Sequence, residues 1–295
     1  MTPELSVVIP YVNDPSDLTD CLAALATEAQ HHRLQVIVVD RRGGAAAVVG
    51  PDAPWVTVVD GAGRSIPAMR EQAFRLAEAP SVAVIEDHVI VPPGWVAALL
   101  AARAAGEQVV GGAVRNLATE RLVDWAAFLC EYHHLLPPLP AGKVGGLPGN
   151  NTVYDRSLLE RHAAVLAEGA WEDRLHAAMV REGVRLISHP EIVVGHKMHY
   201  TAGLYSSQRF LYSRSFAGKR IAGAPLAKRV VMGLAALALP PVLAARIVVT
   251  VWRKGSHRKE LLRSLPLLGW FTLAWAAGEL TGYWFGEGNA MRRVR

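Results

Sequence analysis

Cysteine is almost missing from this 295-residue chain: Cys21 and Cys130 are the only two. That excludes a disulfide framework and a thiolate metal cluster, and makes a reducing compartment the simplest setting. No G-x-G-x-x-G or P-loop fingerprint follows a predicted strand, and Arg41-Arg42-Gly43-Gly44 does not replace one, which counts against a nicotinamide enzyme or a P-loop ATPase. Repeats and low-complexity tracts are lacking as well. Residues 1–4 carry no basic stretch and the apolar run Leu5–Pro10 is short, so no signal peptide is expected and the N-terminal domain is expected in the cytoplasm. Charge is sparse, at 19% of residues against 51% apolar, with a mean hydropathy of +0.19. This balance leans towards membrane contact.

The net charge of +5 would by itself suggest nucleic acid, but its distribution argues against that partner. From Phe216 onward 13 Lys and Arg face 3 acidic residues, a net +10, whereas residues 1–215 carry 18 basic and 23 acidic groups, a net −5. The same tail holds the two longest apolar runs, Val230–Trp252 and Leu265–Phe285. Cations flanking apolar runs suit anionic membrane lipids better than a duplex. At about 1.5 Å per residue each run is long enough to cross a hydrocarbon core of about 30 Å. Two C-terminal membrane helices are thus the first reading, with a kink or re-entrant hairpin left open by Pro240-Pro241 and Arg246 inside the first run. The chain accordingly divides into a catalytic-type domain over 1–215 and a membrane-associated helical region over 216–295.

Ahead of the tail, strands and helices alternate. Leu5–Pro10, Leu34–Asp40, Val56–Val59 and Ser81–Ile85 read as strands, and Leu18–Ala29 and Ile66–Ala79 as helices, the first capped by Ser16 or Asp17. This spacing implies right-handed crossovers and an α/β domain whose mostly parallel sheet is sandwiched by helices. Between Gly111 and Thr152 the chain reads as less regular, ending in a Pro- and Gly-rich loop. It resumes with a strand over 151–154, helices over Asp155–Ala167 and 171–182, and short strands over Val184–Ser188 and Ile192–Val194. Ligands of such sheets bind beyond the carboxyl ends of the strands. Tyr11 to Asp14, Asp40 and Glu86-Asp87-His88 stand there, and the three clusters are expected to share one pocket.

The order of these motifs resembles the family 2 glycosyltransferases over about residues 5–215. Ser6-Val-Val-Ile-Pro10-Tyr11, Val36-Ile-Val-Val-Asp40 and the stretch Gly63–Ala73 with Arg70 are similar to that family's donor-binding half. Val84-Ile-Glu86-Asp87-His88, followed by Pro93-Gly94-Trp95, resembles its acidic metal-and-diphosphate motif, and Asn150, Asn151 and Glu172-Asp173 are similar to its acceptor half. The resemblance implies a GT-A fold and transfer of a sugar from a nucleotide-sugar donor with inversion. It implies donor contacts at Pro10, Tyr11, Asp14, Asp40, Arg70, Glu86 and Asp87. Acceptor contacts fall on Asn150, Asn151, Gln208, Arg209, Tyr212 and Arg214, with Asp173 as general base supported by Glu172.

A leaving nucleoside diphosphate develops negative charge that a divalent cation neutralises, and the cation needs carboxylate or imidazole ligands. Glu86, Asp87 and His88 supply both kinds, with His196 as a further candidate and His199 three residues on. Where the family has aspartate at the first and third motif positions, this chain has Glu86 and His88. Imidazole suits Mn2+ and not Mg2+, so Mn2+ is favoured. For Glu172-Asp173 the alternative is a favourable interaction with a helix dipole. For the whole chain the alternatives are a polyprenyl-phosphate glycosyltransferase, whose acceptor arrives ionised, and a degenerate nucleotide- or glycan-binding scaffold. In each, the apolar tail keeps the domain at the cell membrane, beside a lipid-linked or membrane-proximal acceptor.

Overall fold

Leu5–Tyr11, buried along its whole length, forms strand β1. A strand that shows no polar face must be covered on both sides, and β1 is hydrogen-bonded in parallel to two neighbours, β2 (Leu34–Asp40) and β4 (Ser81–Val84). The other strands are β3 (Val56–Asp60), β5 (Val89–Ile90), β6 (Val109–Asn116), β7 (Gly142–Val144), β8 (Thr152–Asp155) and β9 (Leu186–His196). Among the described residues, 2–169 and 171–295 of this computed structural model, these nine strands make one sheet ordered β3-β2-β1-β4-β8-β6-β9-β5, with β7 also on β9. The long ladders are parallel, β8 is antiparallel to β4 and β6, and β5 and β7 run antiparallel to β9. The protein therefore has the expected α/β architecture, a mostly parallel but mixed sheet flanked by helices.

Local chemistry moves several expected boundaries. The first helix runs Pro15–Ala29 and begins earlier than expected because Pro15 presets its first turn; the cap is Asp14, whose N–H donates to Asp17 Oδ2 (3.2 Å). The expected helix over 155–167 is two, Arg156–Arg161 and Ala163–Ala167. The stretch expected to be irregular holds β6, hidden in the sequence by Gly111 and Gly112, and the helix Leu122–Tyr132. Gly112 is required: a Cβ there would meet the Ile192 carbonyl oxygen at 1.8 Å. The two short strands expected over 184–194 are one bulged strand. β9 advances from Ser188 to Val193 while β6 advances from Gly111 to Ala113, and the extra length is pinned where His189 lies 2.6 Å from Glu107 and 2.7 Å from Glu191.

Two compact units emerge: the chain up to Leu117 together with Leu135–Lys197, which holds the sheet, and Ala118–His134 together with Met198–Arg295. The boundary expected at 215 falls inside the helix Ala202–Arg220. The second unit is helical. Ala202–Arg220 packs closely on Arg258–Phe285 because Gly278 and Gly282 leave room; a Cβ on Gly278 would meet Phe210 O at 2.3 Å. Tyr205 anchors this core, its hydroxyl donating to Ala127 O (2.9 Å) and its ring 4.6 Å from that of Phe271.

The two straight membrane helices of the first reading are not what forms. No single helix among the described residues is long and apolar enough to cross a membrane. The first run breaks into Leu226–Ala236 and Leu239–Lys254, bent by 50°, and only this pair taken together has the length and composition of a span. Pro240 and Pro241 sit in the first turn of the second piece, where their missing N–H groups cost no helix bond. The second run lies within the 28-residue helix Arg258–Phe285, which opens on charged residues.

Asn151 is the polar strut of the sheet unit. Fully buried, it accepts from Trp95 Nε1 (3.1 Å) and donates through Nδ2 to Ala113 O (3.0 Å) and Ile192 O (2.9 Å). Its expected place on an acceptor is corrected accordingly, because every polar atom of the amide is already engaged inside the protein. Asn151→Ala strands three buried partners and is expected to lower unfolding free energy by about 2–4 kcal/mol, read from the midpoint of urea denaturation.

Candidate active site

The carboxyl end of β4 enters Glu86-Asp87-His88, and each of the three side chains takes a different direction. Asp87 turns inward. It is fully buried, and its Oδ2 accepts from the backbone N–H groups of Val12 (2.7 Å) and Asn13 (2.8 Å) while Oδ1 accepts from Asn13 Nδ2 (2.8 Å). His88 Nδ1 lies 2.9 Å from the same Oδ1. With its oxygens occupied in this way, Asp87 stands behind His88 instead of beside Glu86 as a ligand. Asn13, which sequence reasoning passed over, is part of this lock; its only signal was its place in the polar run after β1.

β5 pairs antiparallel with the end of β9, placing Val89 opposite His196. This register brings the His88 and His196 rings to 4.5 Å, edge to face. One ligand atom each from Glu86, His88 and His196 lie within 4.8 Å of one another. Burial opposes charge on Glu86, yet His88 and Arg70 hold its carboxyl down at about 2. Burial likewise opposes charge on His88, but Asp87 and Glu86 push it up to about 10. Burial, and then the positive charge on His88, keep His196 neutral at about 3. His88 Nε2 and Glu86 Oε2 lie 3.4 Å apart across this space. A carboxylate and two imidazoles, one oriented from behind by a buried aspartate, are a donor set that fits a divalent cation in that space.

Arg70 links this triad to the acidic pair. It is 6% exposed, with Nη2 3.5 Å from Glu86 Oε1, Nη1 donating to Glu172 Oε2 (2.6 Å), and Trp171 facing its guanidinium at 5.9 Å. Asn150 Nδ2 donates to Glu86 Oε2 (3.2 Å), and a Cβ on Gly149 would meet Glu172 Oε1 at 2.0 Å. Glu86, Arg70, Glu172 and the Gly149-Asn150 turn therefore form a closed ring. Glu172, expected as a support for Asp173, is the member of the acidic pair inside this ring, while Asp173 stands exposed in the first turn of the helix Glu172–Arg181. Partial burial and the charge of Glu172 raise the Asp173 carboxyl above its ordinary range, against the backbone N–H of Arg174.

The remaining expected donor residues collect at the ends of β1 and β2. Tyr11 is paired with Asp40 across the strands, and Pro10, buried, precedes it. Asp40 is spent on its own loop, Oδ1 accepting from Gly43 N (2.6 Å) and Oδ2 from Ala45 N (2.9 Å). Asp14 pairs with Arg42 at 2.8 Å. The expected acceptor residues Gln208, Arg209, Tyr212 and Arg214 belong to the second unit and are engaged within it. Gln208 accepts from Arg295 N (2.7 Å), and Arg214 Nε donates to Gly286 O (3.2 Å). Arg209 pairs with Glu131 at 2.9 Å between the rings of Tyr205, Tyr212 and Trp275. His199 bonds Asp124 at 2.8 Å in that unit and is no member of the triad.

Isothermal titration with Mn2+ tests the triad. His196→Ala and Glu86→Gln are each expected to weaken binding more than about tenfold, with unchanged far-UV circular dichroism. Affinity equal to that of the unmodified protein would remove the triad as the cation site.

Several known proteins are similar in fold. The mannosyltransferase PcManGT from Pyrobaculum calidifontis, solved in complex with GDP-Man and Mn2+, superposes with a TM-score of 0.56 at 18% identity, covering 95% of this chain and 88% of its own. TarS 1-349 from S. aureus gives 0.51 at 15% identity, covering 94% and 89%, and its complex with UDP-GlcNAc gives 0.51 at 14%, covering 94% and 90%. At such identities the likeness is one of fold. No curated protein sequence matches significantly. Residues 6–163, more than half of the chain and including Arg70, Glu86–His88, Asn150 and all of β1 except Leu5, match the glycosyl transferase family 2 domain, and the protein belongs to that family as a glycosyltransferase.

Proposed function

We propose that this glycosyltransferase moves a sugar, with inversion, from a nucleotide-sugar donor to a hydroxyl on a lipid-linked or membrane-proximal acceptor. The observation that carries this reading is the ring in which Arg70 joins the Glu86 side of the cation triad to Glu172, next to Asp173. Solved proteins of similar fold carry GDP-Man with Mn2+ and UDP-GlcNAc, which supports a nucleotide-sugar donor here.

Glu86, His88 and His196 are the residues that would hold a divalent cation, and two imidazoles in three ligands favour Mn2+ over Mg2+. Such a cation supplies neutralisation of the charge that develops on the departing nucleoside diphosphate. Arg70, cationic and almost dry, adds a fixed positive charge on the same side. Tyr11, Asp14 and Asp40 shape the nucleoside end, Asp40 by fixing the loop through Gly43 and Ala45. Asp87 holds His88 in register from behind. Asp173, exposed at the start of its helix, takes the proton of the acceptor hydroxyl as the oxygen attacks the anomeric carbon. Its raised pKa, due to partial burial and then to the neighbouring Glu172, is what a general base needs. In this reading the bent apolar helix pair, which has the length and composition of a span, lies at the cell membrane and the sheet domain on the cytoplasmic side.

Asp173→Asn is expected to lower kcat by about 100-fold or more while leaving the donor Kd unchanged by calorimetry. In the unmodified enzyme the rate falls as pH drops through the raised Asp173 pKa, since a protonated carboxyl accepts nothing, and the variant loses that limb. Full activity of Asp173→Asn would instead point to a phosphate acceptor that arrives ionised. Donor hydrolysis absent with every nucleotide sugar and Mn2+ would leave only the scaffold reading.

A further inference from the structure

Two buried side chains behind the candidate site take no part in the chemistry described above. Tyr154 lies on β8 and His176 on the helix Glu172–Arg181, and the Tyr154 hydroxyl stands 2.8 Å from His176 Nε2. Both residues are buried, their rings 5.8 Å apart, and Phe74 meets Tyr154 edge-on at 6.3 Å. Burial pushes the Tyr154 phenol up, so it keeps its proton. Burial also holds the His176 ring down at about 4, against the pull of Glu172, so the imidazole is neutral. The result is a hydrogen bond between uncharged partners, which satisfies two buried polar groups and needs no counter-ion.

The helix that carries His176 carries the acidic pair in its first turn, and that turn is weakly specified by its own sequence. Trp171 at the N-cap provides no side-chain hydrogen bond, where Ser, Thr, Asp or Asn would anchor the first N–H groups. The ion pair of Arg174 with Glu168, at 2.8 Å, is exposed on both sides and screened by water. On the inward face, beside the apolar packing of Leu175 and Met179, stand two polar fixings: Glu172 to Arg70 at 2.6 Å and His176 to Tyr154 at 2.8 Å. Positions 172 and 176 are four apart, hence neighbours on one face with about 6 Å of rise between them. A single fixing lets a helix end pivot about the contact. Two on one face set both its height and its rotation.

Tyr154 is a firm reference point for that face. It pairs across the sheet with Val82 of β4 on one side and with Val109 of β6 on the other, and β4 is the strand that runs on into Glu86-Asp87-His88. Asp173 follows Glu172 and precedes His176 by three residues. Its carboxyl is raised by partial burial and by the charge of Glu172, and both depend on where the first turn sits.

We infer that Tyr154 and His176 are positioning residues for the transfer reaction: their hydrogen bond holds the first turn of the helix Glu172–Arg181, and with it the Asp173 carboxylate, in the frame of the strand that leads to Glu86 and His88. The inference rests on the reading of Asp173 as general base and adds to it the pair that sets its place.

The test compares Y154F and H176L, which delete the bond, with H176Q, whose amide supplies a polar atom where Nε2 stands; unchanged far-UV circular dichroism verifies that each is folded. Carbon-13 NMR titration of the Asp173 carboxyl, identified by its loss in D173N, needs no substrate. In the unmodified protein and in H176Q it is expected to titrate above the ordinary carboxylate range. In Y154F and H176L it is expected to fall back towards that range, because a loosened turn leaves Asp173 more hydrated and farther from Glu172. Donor hydrolysis with Mn2+, probed with GDP-Man and UDP-GlcNAc, is expected to lose about tenfold in kcat in Y154F and H176L, with donor Kd unchanged and the acid limb moved to lower pH, while H176Q stays within about threefold. In a D173N background Y154F is expected to change kcat less than about twofold, the two sites acting as one unit. A bond with a structural role alone would lower the melting temperature of Y154F and H176L and leave the Asp173 titration where it is. That result overturns the inference and leaves the base reading standing, as does a tenfold loss that recurs undiminished in D173N. Full activity of D173N overturns the base reading and the inference with it. The titration decides the positioning whichever nucleotide sugar is the donor.

Discussion

A single buried carboxylate organises the candidate active site. Asp87 is fully buried, where an uncompensated negative charge would be prohibitive. Its compensation comes from two backbone N–H groups and the Asn13 amide on one chain segment and from His88 on another. The loop after β1 and the turn after β4 are therefore locked together, and Asp87 sets the direction of the His88 ring. The altered acidic motif gains a physical rationale here. Its middle member serves the scaffold, its outer members serve the open space, and His196 on β9 completes them.

Around this lock the charges alternate. The Glu86 carboxylate faces His88 on one side and Arg70 on the other, and Arg70 in turn faces Glu172. Opposite charges arranged this way stabilise one another, and removal of any one leaves its neighbour without a counter-charge. The small residue Gly149 is what lets Glu172 lie against the turn that carries Asn150.

Much of this was legible in the residues themselves. β1, β2 and β4 announced themselves as apolar runs ending in polar groups, and the Glu86–His88 turn and His196 were recognisable by type and place. What was not legible has identifiable causes. β6 carries Gly111 and Gly112, which weaken a strand's pattern, and the need for them lies in the bulge of β9 that no local pattern reveals. The partners of Asp40, Asn151 and Arg209 depend on tertiary placement, so side chains that read as ligand contacts are seen to hold loops, strands and helices together. The second apolar run looked like a span by length, yet its helix starts in a charged turn and buries Leu268, Phe271 and Tyr283 against its own unit.

The bulge of β9 has an arithmetic of its own. Between Ser188 and Val193 this strand uses three residues more than β6 uses between Gly111 and Ala113, and three is odd. Side chains of a strand alternate between two faces, so an odd excess reverses which of them look each way from that point on. The segment His189-Pro190-Glu191 thus acts as a parity setter for everything downstream, His196 included. In the descent of such a protein, a lost or gained codon here would not trim a surface loop. It would alter the parity with which the strand reaches His196.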